Sequence, residues 1–348
     1  MQGRIGRIFS DLFSKLKGKK KFVSCHWLEH GIIFDHANII RVCCEQSHEG
    51  KGRYILDDKF NGIWLDIDKI KSEKEILKLK VRNGQIPSCC KGCQFLKNDY
   101  WDDKNYFSHV LLTHWSNCNT RCVYCPAVRD NSLSDENVYN IIPIIDQLYD
   151  AKMINEDTYF SIAGGEATIY PEFDKLIYHL MTLGIHKINF NTSGIKHSHS
   201  IEQAIKDNIG EVVISIDSAT AYLYTKIKGT NTFQVVVNNI KRYLEAQQIG
   251  EKRVIVKFIL IKGYNDNNKE LLDWFMLCLK LGVKKLAIDI DIAWFNEFEH
   301  GYPNYVLDLI LFAKHMAKIN NLDLDLYDRA SMVYNSYKAN KKYRKLFG

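Results

Sequence analysis

The chain has 348 residues, 46% of them hydrophobic and 12% aromatic, with a formal net charge of +6. That length and apolar content can bury a large core, and with only five prolines, twenty glycines and no fixed-period repeat, a disordered or low-complexity chain is excluded. The charge excess is local: residues 1–21 hold seven Lys or Arg against one Asp, so the remainder is balanced. Despite the basic C-terminal run KKYRKLFG, it lacks the basic surface of a nucleic-acid binder.

Within residues 1–21, Ile5, Ile8, Phe9, Leu12, Phe13 and Leu16 share one helical face, with Lys15, Lys17 and Lys19 to Lys21 beside it. Such a basic amphipathic segment either docks on its own protein or makes peripheral contact with an acidic membrane. Arg4, Arg7, Asp11 and Lys15 interrupt its apolar residues, so it reads as no secretory signal, and no later run is long enough to span a bilayer. A cytoplasmic location is therefore expected, where ten cysteines read as metal ligands or free thiols rather than as a disulfide framework.

Residues 22–104 form a cysteine-rich stretch containing Cys25, Cys43, Cys44, Cys89, Cys90 and Cys93. Adjacent cysteines on an extended strand point opposite ways, so one of each pair is expected to ligate and the other to pack as a small apolar side chain. Cys90-x2-Cys93 suits a four-cysteine zinc site as well as an iron–sulfur site.

From about residue 105 to 300, short β-type runs alternate with helical ones. Strands are expected at 109–115, 158–163, 187–191, 212–217, 254–261 and 286–292, and helices at 134–150, 172–183, 201–208, 232–248 and 268–281. This alternation implies an α/β fold with a parallel sheet and crossover helices. Residues 301–348 read as an extension: a helix over 305–319, a strand over 322–326 and a basic tail.

Reactive groups of such repeats gather in loops after the strands' C-terminal ends. Four segments fall there: CNTRCVYC with Cys118, Cys122 and Cys125; Gly164-Gly165-Glu166; residues 191–194, including Ser193; and Ser215-Ile216-Asp217. The x3/x2 cysteine spacing leaves a four-iron cluster one protein ligand short, and an open iron can bind a small molecule.

With these motifs in this order, residues 108–292 resemble the core of a radical S-adenosylmethionine (SAM) enzyme. The resemblance implies a partial (β/α)6 TIM-type barrel in which Cys118, Cys122 and Cys125 hold a [4Fe–4S] cluster and SAM binds its free iron. Tyr124 matches the aromatic position whose backbone meets the adenine, and Gly164, Gly165 and Glu166 match the family's GGE motif. Ser193, Ser215 and Asp217 suit the methionyl carboxylate and ribose. Ala167 stands where the family often has proline. The implied chemistry is reductive cleavage of SAM to a 5′-deoxyadenosyl radical that abstracts hydrogen from a small metabolite, a sugar or a peptide side chain. Flavodoxin or ferredoxin would supply the electron.

Cys25, Asn38, Cys43, Cys90 and Cys93 resemble the SPASM or twitch pattern of an auxiliary [4Fe–4S] cluster, with Asn38 where glycine is usual. Asparagine tolerates the left-handed conformation such a turn needs. In the family this module usually follows the barrel; here it precedes it. A non-catalytic iron–sulfur or electron-transfer protein is the alternative class. Lys257, Asp289 and Asp291 are read as a substrate group or a buried ion pair, His109 and His114 as structural, and Cys278 as core.

Overall fold

In the central strands, alternate residues face opposite sides: Phe160 and Ile162 are buried while Tyr159 and Ser161 between them are not. The computed structural model describes residues 21–43, 54–93, 95–102, 104–131, 139–298 and 301–339. The expected amphipathic segment, apart from Lys21, lies outside these residues, as do Cys44 and the basic tail from 340 on.

The chain begins with β1 (Phe22–Ser24), α1 (His26–His30), β2 (Gly31–Asp35), β3 (Ile39–Arg41), β4 (Ile55–Asp57), α2 (Ile67–Arg82) and β5 (Lys97–Asp99). The alternating region follows as β6 (His109–Thr113), α3 (Pro126–Arg129), α4 (Ile142–Asp150), β7 (Tyr159–Ile162), α5 (Phe173–Thr182), β8 (Lys187–Thr192), α6 (His199–Lys206) and β9 (Gly210–Ser215). It continues through α7 (Ala221–Lys228), α8 (Phe233–Ala246), β10 (Val254–Leu260), α9 (Asn268–Leu281), β11 (Lys285–Ile290) and α10 (Ile292–Asn296). The last elements are α11 (Asn304–Ile319), β12 (Asp323–Leu326) and α12 (Asp328–Ala339).

All six expected strands form, as β6 to β11, and run parallel in sequence order within one ten-stranded sheet, β12-β11-β10-β9-β8-β7-β6-β2-β3-β4. The sheet stays open, with β12 and β4 at its edges, which is the partial-barrel form of the fold. Phe160, Phe190, Val212, Ile214, Val256, Phe258 and Ile288 are at most 1% exposed beneath the crossover helices. Burying each such side chain stabilises the fold by about 1.5–3 kcal/mol.

Capping explains several boundaries. Asn267 Oδ1 accepts from Glu270 N at 3.0 Å to start α9, and Gly282 at φ +82° ends it. The sequence alone does not announce α7, whose Tyr-, Thr- and Ile-containing run AYLYTKIK favours strand locally; Thr220 caps it and Gly229 at φ +68° stops it.

Residues 31–57 join the main sheet. β2 pairs parallel with β6, from Gly31 opposite His109 to Asp35 opposite Thr113, and every residue of β2 is buried. Asp35 closes this seam: Thr113 Oγ1 donates to its Oδ1 at 2.9 Å, and Arg41 Nη2 lies 2.5 Å from its Oδ2. Among the described residues no helix is long and apolar enough to cross a membrane.

The two Asp35 and Arg41 side chains are only 7% and 6% exposed, so Asp35→Ala, which leaves the Arg41 charge buried, should cost about 3–5 kcal/mol in denaturant unfolding. Lys69→Ala removes a 2.7 Å pair from Asp57 in which Lys69 is 38% exposed, and should cost under about 1 kcal/mol. Equal losses for the two would contradict this account of the seam.

Candidate active site

After β6 the chain turns across the C-terminal edge of the sheet and carries Cys118, Cys122 and Cys125, all three free thiols, with Cys122 buried. Backbone hydrogen bonds fasten this loop to the end of α7: Arg121 N donates to Lys228 O at 2.8 Å and Val123 N to Ile227 O at 2.9 Å. Asn117 Oδ1 accepts from Cys118 N at 2.8 Å, and Thr120 Oγ1 lies 3.1 Å from Cys118 Sγ and 3.4 Å from Cys122 Sγ. Cys125 occupies the N-cap position of α3, followed by Pro126. Burial pushes the Cys118 thiol up, and Thr120 opposes the shift. A bound cation would reverse that balance and favour the thiolate.

The donor set fits an iron–sulfur cluster. A single zinc ion with Zn–S bonds of about 2.3 Å requires sulfurs within about 4 Å of one another. Among the described residues no three cysteine sulfurs lie within 4.8 Å of one another, which suits a larger metal unit.

Gly164 and Gly165 stand at φ +80° and +45°, conformations in which a side chain would be strained. A Cβ on Gly165 would lie 2.2 Å from Asn117 O and 2.7 Å from Ser116, so these glycines admit the cysteine loop itself. Glu166 N then donates to Asn117 O at 2.8 Å. Glu166, the acid of the GGE match, is 1% exposed, with its carboxylate engaged within the protein. Its Oε1 accepts from Thr168 Oγ1 and Thr192 Oγ1, each at 2.6 Å, and its Oε2 from Ser193 N at 2.6 Å. It therefore joins the ends of β7 and β8.

Asp217 likewise faces inward. It is fully buried at φ +54°, where its Oδ2 accepts from Tyr124 Oη at 2.9 Å and pairs with Lys228, while its Oδ1 accepts from Ile259 N at 2.8 Å. Asn265, also fully buried, donates to Asp217 O at 2.9 Å and Ile259 O at 2.8 Å. Burial would pull the Lys228 ammonium down, but Asp217 and Cys122 together outweigh it and the net shift is upward. Burial and then Asp217 push the Tyr124 phenol well above its ordinary range. The structure thus places Asp217 and the Tyr124 side chain in a brace behind the cysteine loop. Ser193 and Ser215 are half-buried at strand ends, with Ser193 Oγ 3.4 Å from Asn119 Oδ1 of the cysteine loop. Lys228, Thr192 and Asn265 were missed in the sequence, because no spacing marks a residue that acts by pairing with a distant buried carboxylate.

In the N-terminal region the structure brings Cys25, Cys43, Cys89, Cys90 and Cys93 together. Burial raises the Cys90 thiol, with Cys89, Cys43 and Cys25 adding; burial also raises Cys25, with Cys93 adding. Cys89 Sγ and Cys90 Sγ are 3.9 Å apart, and Asn38 adopts φ +57°. His26 Nε2 lies 3.0 Å from His109 Nδ1, a contact between α1 and β6 that no motif announces.

A cavity of about 750 Å³ lies mainly beside the N-terminal halves of the parallel strands, lined by Ser161, Asn189, Asn191, Glu211, Lys285 and Lys314 among others. Asp289 pairs with Arg329 of α12, whereas Asp291 caps α10 through Ala293 N at 3.2 Å and lies 3.9 Å from Arg129. Burial pulls the Lys257 ammonium down and Asp289 partly restores it. Cys278 is fully buried in α9.

Two results follow. Gly165→Ala should displace residues 116–117 and lower bound iron by about one cluster's worth after anaerobic reconstitution, measured against the wild type. Burial holds His114 at about 4, below its ordinary 6.5. Because the unfolded chain binds this proton more readily, stability is full above pH 6.5 and falls as pH drops toward 4, by about 3 kcal/mol for this group. His114→Gln should flatten the unfolding free energy across that window; an unchanged slope would assign it to other groups.

Residues 112–275 match the radical SAM superfamily. The chain is 28% identical over 184 residues to a GTP 3′,8-cyclase of Psychromonas ingrahamii, covering 51% of each protein. It is 27% identical over 191 residues to a GTP 3′,8-cyclase of Clostridium botulinum, covering 53% of this chain and 56% of that one. The chain thus spans about half the length of the relatives it matches. In fold it is similar to Streptococcus suis SuiB bound to the precursor peptide SuiA, with a TM-score of 0.51 at 13% identity, over 91% of this chain and 75% of that one. With the matched segment holding the cysteine loop, the glycine turn and the Asp217 brace, residues 112–275 form a radical SAM domain, of a superfamily whose cofactors are a [4Fe–4S] cluster and SAM.

Proposed function

We propose that this chain is a hydrogen-abstracting enzyme acting on a small polar substrate, of nucleotide type, held against the sheet. The observation that carries this reading is the three-cysteine loop with an open position at the strands' C-terminal edge; the same sheet also borders a polar cavity, mainly beside the strands' N-terminal halves. The cavity's volume of about 750 Å³ falls within the ordinary range for small-molecule sites, about 300–1,000 Å³. Lys314 offers positive charge for phosphate, while Lys285 is held by Glu211 at 3.4 Å and Asp325 at 3.6 Å; Asn189 and Asn191, bonded to each other at 2.9 Å, keep further donors and acceptors for base or sugar edges. The GTP-directed names of the partial-length relatives support the substrate class.

In this reading Cys118, Cys122 and Cys125 hold the cluster, the backbone around Tyr124 and the Gly164–Gly165 turn border SAM, and Ser193 and Ser215 supply hydroxyls. Held there, a reduced cluster together with SAM would supply the one-electron chemistry that turns SAM into a hydrogen-abstracting group. The protein's own role is to fix the loop and to keep water from the cavity. Glu166 and Asp217 do the first by bracing the loop from within. Cys25, Cys43, Cys90 and Cys93 are proposed to hold an auxiliary [4Fe–4S] cluster, a reading supported by their gathering in one place and by the left-handed turn at Asn38. A flavodoxin- or ferredoxin-type donor fits the one-electron demand.

Anaerobically reconstituted protein given reductant and SAM should form 5′-deoxyadenosine, and GTP should raise its yield and be consumed. Ala at Cys118, Cys122 and Cys125 together should abolish formation; continued formation would refute the assignment. Ala at Cys90 should remove about four irons yet leave SAM cleavage detectable. Stoichiometric zinc in place of those irons would sink the auxiliary-cluster reading.

A further inference from the structure

Away from both cysteine groups, His197, His199 and Glu202 stand where the loop after β8 enters α6. The geometry points to a further metal site here, a divalent first-row transition cation such as Zn²⁺ held by two imidazoles and one carboxylate. One ligand atom from each residue falls within 4.8 Å of the other two. Such a mixed nitrogen and oxygen set suits zinc-type cations rather than magnesium or calcium.

The pair His197 and Glu202 carries the argument. His197 Nε2 lies 3.2 Å from Glu202 Oε2. Two atoms bound at about 2.0–2.1 Å on one tetrahedral ion are separated by about 3.3 Å, so the observed edge fits. The distance would allow a hydrogen bond, yet the buried His197 Nε2 makes none among the described residues, and its side chain is only 8% exposed, so its one polar neighbour is the Glu202 carboxylate as an ion-pair contact. A buried imidazole nitrogen that faces a carboxylate without hydrogen-bonding to it is a group that a bound cation would satisfy.

The surroundings hold the ligands in place. The His197 ring stacks on Tyr243 at 4.8 Å and 18°, and Tyr243 Oη accepts from Ser198 N at 2.9 Å. Ser198 is extended at φ −120° and ψ 128°, so the side chains of His197 and His199 on either side of it leave on one face. Glu202 follows His199 by three residues on α6, bringing its side chain back over the same turn. Lys206 Nζ donates to Glu202 Oε1 at 2.6 Å and leaves Oε2 toward the histidines. Asp174, hydrogen-bonded to Ser198 Oγ at 2.7 Å and Ser200 Oγ at 2.6 Å, sets a second negative charge against those of Arg242 and Lys206. Three protein ligands leave a position for water. A cation here would fasten the loop that begins at Ser193, independently of any cluster.

The test uses tag-free full-length protein with its iron–sulfur clusters rebuilt, so that the cysteines are occupied. After addition of one equivalent of Zn²⁺ and dialysis, zinc K-edge absorption should show only nitrogen and oxygen neighbours at about 2.0–2.1 Å. His199→Ala, at an exposed position, and Glu202→Gln should each weaken zinc retention by at least about tenfold while iron content and SAM cleavage stay at wild-type levels. A sulfur shell at about 2.3 Å, no zinc retained by the wild type, or full retention by the double variant would each overturn the assignment.

Discussion

The fully buried pair of Asp217 and Lys228 is the constraint on which the site depends. Its ends belong to different elements, Asp217 to the turn after β9 and Lys228 to the last residue of α7, and Tyr124 of the cysteine loop completes it. A buried ion pair adds little net stability compared with a well-packed apolar pair, but removing one partner is costly. Its value lies in specificity: only one position of the cysteine loop satisfies the carboxylate, the ammonium and the phenol together. The loop's backbone bonds to Lys228 O and Ile227 O repeat that choice.

Glu166 braces the neighbouring strands in the same way, closing β7 onto β8 through Thr168, Thr192 and Ser193. The two carboxylates that look most available in the sequence are thus the two most enclosed. What they leave facing outward is backbone, small hydroxyls and three thiols. A radical-generating site benefits from this arrangement, since rigid surroundings position a reactive species without offering it loose side chains.

The six strands were legible because short β-type runs recur between helical stretches, and their loops were legible because CNTRCVYC and Gly164-Gly165-Glu166 carry marked spacing and glycines. Asn38 was legible because its left-handed turn is one asparagine tolerates. What a side chain meets across the fold was not. Glu166 reads as a ligand-binding acid, and that its carboxylate also accepts from Thr192, 26 residues away, left no trace in the sequence. The joining of β2 to β6 escaped notice because a three-dimensional seam between Asp35, Arg41 and Thr113 leaves no periodic trace. α7 was hidden by local strand preference that its cap and tertiary packing override.

The central claim is that the braced loop presents an open iron to SAM. Electron paramagnetic resonance of the protein lacking the Cys90 thiol, reduced by one electron, tests this most directly. Saturating SAM should shift the g-values of the remaining cluster signal, as expected when a ligand binds the unique iron. An identical spectrum with and without SAM would contradict the account.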